Sequence, residues 1–187
     1  MDQARDPASS EVDPQELRGV LGTFATGVTV MTTRSADGEP VGATVSSFNS
    51  VSLDPPLVLF SLARTAQALA VWEAAEGFAV NILTEDQTDI SNRFARAQND
   101  KWSGLAISPG PVMGFPLIPG ALASMECAHF AHYDGGDHLI IVGRVVALQR
   151  SAETRRPLLF YGSRYRSLDT QHTIATPHDT GIWLHGW

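Results

Sequence analysis

The feature that most constrains the fold is a series of short β-branched and apolar runs separated by turns rather than by helices. "GVTVMTTR" and "EPVGATVSSF" flank the turn "SADG", in which Asp37 and Gly38 are typical hairpin residues. "LVLFSLA", "GFAVNIL", "ALASMECAHFAHY", "HLIIVGRVVALQR" and "PLLFY" read as further strands. Strands that follow one another directly pair antiparallel. The sequence therefore predicts a mainly β protein, an antiparallel sheet closed or nearly closed into a barrel with helices packed outside.

Three segments predict those peripheral helices. In "DPQELRGVLGTFATG" the apolar residues from Leu17 to Phe24 recur at i, i+3, i+4 and i+7, with Asp13 as N-cap and Pro14 in the first turn. This helix is expected to end at Gly27. "TAQALAVWEAA" and "EDQTDISNRFARA" predict two shorter helices, whereas the proline-rich and glycine-rich stretch 99–119 is expected to be a loop lying over the surface.

Length and charge restrict the organisation and the partners. The chain of 187 residues is read as one domain over 13–168, with a disordered N-terminal segment 1–12 and a C-terminal tail 169–187. The net charge is −7 and no run of Lys and Arg occurs, which argues against nucleic acid and anionic membranes as partners. Cys127 is the only cysteine, and neither a secretory signal nor an apolar run of about 20 residues is visible, so a cytoplasmic protein is expected.

Several familiar site motifs are absent from the sequence. It contains no GxGxxG after a strand, no GxxxxGK[ST], no HExxH and no GxSxG, so Rossmann-type and P-loop nucleotide binding are unsupported. "HFAH" brings His129 and His132 close in sequence, but in a regular strand they would point to opposite faces. No carboxylate or thiolate spacing completes a ligand set. No metal site is predicted.

The most informative stretch is 42–69, which combines a run of small polar residues with a strand-to-helix turn. The small residues would let a flat ligand approach the backbone, although a solvated strand face has the same composition. In "SLART", Ser61, Arg64 and Thr65 are expected at a helix N-terminus, where free amides favour an anion. Alternatively, Thr65 is a simple helix cap and Arg64 is a solvated charge. Together the two halves favour a planar ligand with a phosphate tail.

Four segments carry a resemblance to a known family: "GVTVMTT", "GATVSSFNSVSLDPPLVLFSLART", "GFAVNILTEDQTDISNRFA" and "GGDHLIIVGRV". In this order and spacing they resemble the short-chain flavin reductase family, the reductase components of two-component flavin-dependent monooxygenases. The resemblance runs from Pro14 to Leu168. It implies an FMN-binding split β-barrel with Greek-key-like antiparallel topology, usually a homodimer. It also implies reduction of FMN or FAD by NADH or NADPH, with the reduced flavin passed to a separate monooxygenase.

The resemblance also implies roles for particular residues. His138 would position the nicotinamide nucleotide, Asp137 would orient the imidazole, and Tyr161 and Arg164 would add contacts to that nucleotide. The implied flavin-binding residues are Thr44, Val45, Ser46, Ser47, Ser52, Pro56, Ser61, Leu62, Arg64, Thr65, Phe94 and Ala95.

Two features depart from the family pattern. "FYGSRYRSL" replaces a glycine-rich segment after the last strand, and Arg96 stands where a glycine commonly follows "FA". An arginine there would favour a phosphate-bearing ligand such as FAD or NADPH, or lie on the surface without a role. Two other functions are compatible with the same barrel: an oxidase that holds FMN and oxidises a substrate such as pyridoxamine phosphate, and a non-enzymatic carrier of flavin or haem.

Overall fold

A computed structural model describes residues 12–97 and 100–172. The predicted N-terminal segment 1–12 and tail 169–187 therefore lie largely outside the described residues. The helices are α1 (Pro14–Leu21), α2 (Leu69–Ala74) and α3 (Thr88–Ala95). The strands are β1 (Thr26–Gly27), β2 (Thr29–Arg34), β3 (Pro40–Val45), β4 (Asn49–Leu53), β5 (Pro56–Ala63), β6 (Gly77–Ile82), β7 (Ser108–Pro109), β8 (Pro116–Leu117), β9 (Ala123–Gly135), β10 (His138–Arg150), β11 (Leu158–Tyr161) and β12 (Arg164–Ser167).

Seven strands form the principal sheet, in the order β3-β2-β6-β9-β10-β5-β4, and all neighbouring strands are antiparallel. Strands β1, β11 and β12 form a second sheet, and β7 and β8 a short third one. The prediction of a mainly β, antiparallel fold with peripheral helices is confirmed. Strand β4 and the hairpin partner β12 were missed, because "NSVSL" and "RYRS" are short and half polar.

The core lies on the inner face of the principal sheet. Phe60 on β5 packs edge-on against Trp72 of α2 and Phe78 of β6, with ring centroids 5.5 and 5.0 Å apart. Burial of these rings, all at most 3% exposed, contributes on the order of 2 kcal/mol each to folding. A second cluster, centred on Phe94 of α3 and Leu158 of β11, joins α3 and the three-stranded sheet to the principal sheet.

Three β-bulges interrupt the ladders of the principal sheet. Phe130 is an extra residue on β9 between the pairs His129–Gly143 and Ala131–Val142. Val146 is an extra residue on β10, and Val51 an extra residue on β4. Each bulge locally reverses the alternation of side chains between the two faces of its strand.

Helix α1 has the predicted start and a different end. Asp13 is the N-cap, and its side chain accepts a hydrogen bond of 2.7 Å from the amide of Gln15. The helix ends at Leu21 with Gly22 as C-cap, so the prediction of a helix up to Gly27 was wrong. Residues 26 and 27 instead pair with β11, whose ladder provides hydrogen bonds that a longer helix would lose. None of the helix residues is buried.

The prediction that 99–119 is a surface loop was wrong for its last part, residues 115–118, which are buried. Phe115, Leu117 and Ile118 are each at most 7% exposed, and β7 pairs with β8 within this segment. A buried carboxylate holds it in place, since Glu126 on β9 accepts hydrogen bonds from the amides of 112, 113 and 115 at 2.7 to 3.2 Å. The prolines and glycines that suggested exposure shape turns between inward-facing side chains.

Among the described residues, no helix has the length and apolar character needed to cross a membrane.

Candidate active site

Two open pockets lie side by side at the end of the barrel where β3, β5 and the β9–β10 hairpin meet. The first, which we term the serine pocket, has a volume of about 580 Å³. It is lined by Thr44, Val45, Ser46, Ser47, Ser61, Leu62, Ala63, Ala66, Gly135, His138 and Ile140. Seven of these residues were predicted as site residues from the sequence. The structure therefore brings together segments that are up to 96 residues apart in the chain.

The second, the tryptophan pocket, has a volume of about 420 Å³ and shares Thr44, Leu62 and Ala66 with the first. It is lined further by Pro40, Val41, Gly42, Ala43, Thr65, Gln67, Ala68, Trp72, Phe94, Ala95, Arg96, Ala97, Lys101 and Trp102. Phe94 and Trp102 pack edge to face with ring centroids 4.8 Å apart. A Cβ on Gly42 would approach the Phe94 ring to 2.6 Å, so this strand position needs glycine.

Two of the predicted hydroxyls are occupied within the protein. Thr44 donates its hydroxyl to the carbonyl oxygen of Ser91 at 2.7 Å, which ties β3 to α3. The hydroxyl of Ser47 bonds the backbone of Ser61. The polar groups that remain at this strand end are Ser46 and backbone atoms of the segment that follows β3, where the ladder with β2 stops. A planar ligand would therefore meet chiefly backbone here.

His138 lines the serine pocket, and its side chain is 44% exposed. It begins β10 directly after the two-residue turn Gly136–Asp137, in which Gly136 has φ of +74°, a conformation that favours glycine. Nδ1 of His138 lies 2.7 Å from Oδ1 of Asp137. That hydrogen bond is the main reason why the pKa of Asp137 lies below its usual range. Gly136 gives the turn its shape, and Asp137 with His138 supplies an oriented imidazole at its edge.

The strand-to-helix turn after β5 differs from the sequence prediction. Helix α2 begins at Leu69 with Ala68 as N-cap, so a helix N-terminus does not lie at Ser61, Arg64 and Thr65. Ser61 is within β5, and the chain makes a turn before the helix. Thr65 lines the tryptophan pocket, whereas Arg64 turns toward the β9–β10 hairpin.

Lys101 is a pocket residue that the sequence reasoning missed. Its ammonium group donates to the carbonyl oxygens of Phe94 and Gly42 at 3.2 and 3.4 Å. Burial lowers the pKa of Lys101, and no carboxylate pairs with it within the described residues. Lys101 is the only lysine in the 187-residue sequence, a signal that was available in "NDKW". With Arg96 it gives the tryptophan pocket a positive lining that an anionic group would complement.

Six predicted site residues lie outside both pockets: Ser52, Pro56, Arg64, Asp137, Tyr161 and Arg164. Ser52 and Pro56 belong to the β4–β5 hairpin. Tyr161 pairs with Arg164 at the tip of the β11–β12 hairpin in the smaller sheet. Their predicted roles in ligand binding stay predictions.

The expected separation of His129 and His132 was wrong. The bulge at Phe130 restarts the alternation of β9, and the two imidazoles come within 3.4 Å, Nδ1 of His132 to Nε2 of His129. Within residues 12–97 and 100–172, no group of three or more His, Cys, Asp or Glu side chains is arranged to hold a metal ion.

The residues of the two pockets fit a flavin nucleotide. The serine pocket presents small side chains and exposed backbone to a flat ring, within the volume range of natural ligand sites. The adjoining pocket offers Thr65 and the Lys101 ammonium group, whose desolvation is offset when an anion binds beside it. The ring end and the phosphate end of such a ligand thus find different surroundings in one continuous cleft.

Fold and site together define a split-barrel protein with an open cleft for a planar, anionic ligand. The chain belongs to the family described as flavin reductase like domain, which it matches over residues 21–169. The family and the fold predicted from the sequence are confirmed.

Individual relatives support the same assignment. The chain is 41% identical over 170 residues to the reductase subunit HsaB of a flavin-dependent monooxygenase from Rhodococcus jostii, covering 91% of this chain and 86% of that protein. The structure of nitrilotriacetate monooxygenase component B from Mycobacterium thermoresistibile superposes with a TM-score of 0.84 at 38% identity, covering 91% and 95% of the two chains. An NADH:FAD oxidoreductase of Streptomyces globisporus, solved with NAD and FAD fragments, has a TM-score of 0.77 at 38% identity, covering 95% and 100%.

Proposed function

We propose that this chain is an NAD(P)H:flavin oxidoreductase that reduces FMN or FAD and supplies the reduced flavin to a separate monooxygenase component. The observation that carries the proposal is the serine pocket, an open cleft that His138 helps to line. Relatives named as a reductase subunit of a monooxygenase and as an NADH:FAD oxidoreductase support it. NADH is the expected donor, with NADPH as the second possibility to be tested.

The chain's own contribution is binding and orientation. When bound, the flavin supplies the acceptor for the hydride that the reduced nicotinamide donates. The strand end at Thr44–Ser47 would support the ring edge, with backbone amides as donors toward the charge that develops there. Thr65 and Lys101 would hold the phosphate end, and Phe94 and Ala95 would close the side of the cleft.

His138 would position the nicotinamide nucleotide on the exposed face of the ring. Its Nδ1 donates to Asp137, which leaves Nε2 as the nitrogen that faces a ligand. The hydrogen bond fixes the ring orientation before the nucleotide arrives, so less conformational freedom is lost on binding.

We further propose that two copies of the chain form a dimer through α1 and the segment after it. The exposed apolar residues Leu17, Val20, Leu21 and Phe24 are 46 to 74% exposed, although their spacing is that of a buried helix face. A dimer would cover this face. Sedimentation equilibrium of the wild type should give twice the chain mass, and Val20→Asp with Phe24→Ser should give a monomer. A monomeric wild type at micromolar concentration would contradict the dimer.

The compartment that we propose is the cytoplasm. Cys127 is buried and unpaired, in keeping with a reducing environment.

Anaerobic stopped-flow absorbance tests the activity directly. The protein with FMN or FAD is mixed with NADH or NADPH, and bleaching of the oxidised-flavin band is followed. Rapid bleaching with at least one pair, far above the rate for free flavin, is expected and also selects the cofactors. Flavin binding without bleaching by either nucleotide would instead support an FMN-holding oxidase or a non-enzymatic flavin or haem carrier.

A further inference from the structure

Arg64 joins the end of β5 to the tip of the β9–β10 hairpin through three hydrogen bonds. Its backbone amide donates to the carbonyl oxygen of Asp137 at 2.9 Å. Its Nε donates to the carbonyl oxygen of Gly136 at 2.9 Å, and a terminal nitrogen donates to Oδ1 of Asp134 at 2.8 Å. The acceptors are four residues or fewer from His138 and about 70 residues from Arg64 in the sequence.

Asp134 completes a closed arrangement around the turn. The same Oδ1 that accepts from Arg64 also accepts from the amide of Gly136 at 3.0 Å. The hydrogen bond from Arg64 is the main reason why the pKa of Asp134 lies below its usual range. A guanidinium group can reach a carboxylate and a carbonyl at once because its donors form a rigid fork, which a lysine ammonium lacks.

We propose that Arg64 is a positioning residue that holds the hairpin tip, and with it His138, in place beside the serine pocket. The proposal rests on the proposed flavin reduction. It differs from the phosphate-binding role expected from the sequence, because Arg64 lines neither pocket and two of its side-chain nitrogens are already bonded to the hairpin. The backbone bond from Arg64 to Asp137 survives substitution, so replacement should loosen the tip without unfolding the sheet.

Steady-state kinetics separate the two roles of Arg64. Arg64→Gln should raise the KM for NADH about fivefold, as expected for loss of a partly exposed charged contact, and leave the KM for FMN and for riboflavin within about twofold. The NADH KM of Arg64→Lys should lie between those of Arg64→Gln and the wild type. Asp134→Ala should reproduce the rise in the NADH KM, and the double variant should be no worse than Arg64→Gln alone.

A matched control removes a similarly exposed arginine that lines neither pocket. Arg156 bonds Glu85 at 2.7 Å, and its side chain is 48% exposed against 41% for Arg64. Arg156→Gln should leave both KM values unchanged. An FMN KM that rises while the riboflavin KM does not would overturn the positioning role in favour of phosphate binding. Additive effects of Arg64→Gln and Asp134→Ala on the NADH KM would also overturn it.

Hydrogen exchange of the ligand-free protein provides a test that is independent of activity. Amides of the hairpin tip, 134–138, should exchange faster in Arg64→Gln than in the wild type, and those of β6 should not change. Unchanged exchange at the tip would overturn the inference even if the wild type reduces flavin. If exchange at the tip is faster in Arg64→Gln but the wild type does not reduce flavin, the positioning role stands and the proposed function is contradicted.

Discussion

The hydroxyl of Ser47 makes two hydrogen bonds with the backbone of Ser61, donating to its carbonyl oxygen and accepting from its amide, each at 3.0 Å. The residues lie on opposite sides of the opening in the barrel, where β3 ends without a ladder to β5. One side chain thus replaces a strand pair at the mouth of the serine pocket. Ser47 therefore shapes the pocket, and its hydroxyl has no free donor left for a ligand.

Ser47→Ala should weaken FMN and riboflavin binding by a similar factor, about threefold to tenfold, because the pocket mouth loses both hydrogen bonds. Its free energy of unfolding should fall by about 1 kcal/mol. Fluorescence titration of each flavin measures the first and urea denaturation the second. The control is Ser46→Ala, since the Ser46 hydroxyl makes no hydrogen bond to the described part of the chain. Equal stability of both variants would contradict the bridging role.

His138→Ala should raise the KM for NADH about tenfold and change the flavin KM little, because we propose that this partly exposed imidazole at the pocket positions the nucleotide. Asp137→Ala should give a smaller rise, since the imidazole is retained without its orienting hydrogen bond. Initial rates over a matrix of NADH and flavin concentrations provide the measurement. An unchanged NADH KM in His138→Ala would remove this residue from the nucleotide site.

Lys101→Met should weaken FMN binding about tenfold and riboflavin binding much less, because only FMN carries the phosphate that the ammonium group complements. Thr65→Val should show the same preference with a smaller loss. Equal losses for the two flavins would argue against a phosphate site in the tryptophan pocket.

The same lysine predicts a pH dependence. Burial lowers the pKa of Lys101, so the ammonium form is present at low pH and is lost as the pH rises through the lowered pKa. The preference of the wild type for FMN over riboflavin should therefore decline at a pH below that at which an ordinary lysine titrates. Lys101→Met should show no such decline. Ratios of the two dissociation constants between pH 7 and pH 10 provide the comparison.

Glu126→Gln should lower the free energy of unfolding by about 2 kcal/mol, because an amide nitrogen would then face the backbone N–H donors of the segment after β7. Glu126 is 1% exposed and accepts from three backbone amides. Glu153→Gln, at an exposed carboxylate bonded to Arg155, is the control and should change stability by less than about 0.5 kcal/mol. Urea denaturation measures the free energy of unfolding of both variants. Equal stabilities would contradict the anchoring role of Glu126.

The thiol of Cys127 should be inert in the folded protein. Burial, helped by the neighbouring Glu126 charge, raises its pKa to about 12. At pH 8 only about one molecule in ten thousand would carry the reactive thiolate. A chromogenic disulfide reagent should therefore react stoichiometrically in guanidinium chloride and hardly at all without it. Fast reaction of the native protein would show that the site opens.

The sequence predicted the parts of the fold whose local pattern and tertiary environment agree. The strands from Gly77 and from His138 have long apolar runs, and a clear hairpin turn precedes His138. The end of α1 and the start of α2 were placed wrongly, because pairing of β1 and the hydrogen bonds of Arg64 are long-range contacts that no local pattern carries. The buried segment ending at Ile118 was missed for the same reason, since Glu126 fixes it from another strand.

The candidate site, like the fold, was predicted only in part. Thr44, Ser61 and His138 were predicted to lie together, and the structure brings them into one pocket. The family resemblance, rather than spacing, connected them. Lys101 was overlooked because it follows α3 in a stretch that had been read as surface loop. The contact between His129 and His132 depended on a bulge, which a strict two-residue period does not reveal.

The bulges on β9 and β10 have a consequence for how this hairpin tolerates changes in length. The pairs from Gly143–His129 to Val145–Cys127 lie between the two bulges and are shifted by one residue. The pairs on both sides of them share one register, because each strand carries one extra residue and the two offsets cancel. Strand β6 pairs with β9 only as far as Ala128, and β5 pairs with β10 only as far as Arg144. Each extra residue therefore lies just beyond the last partner of the neighbouring strand. Loss of one of these two residues alone would therefore leave β9 and β10 one residue out of register beyond it, whereas loss of both would restore the pairing of Arg150 with Ala123.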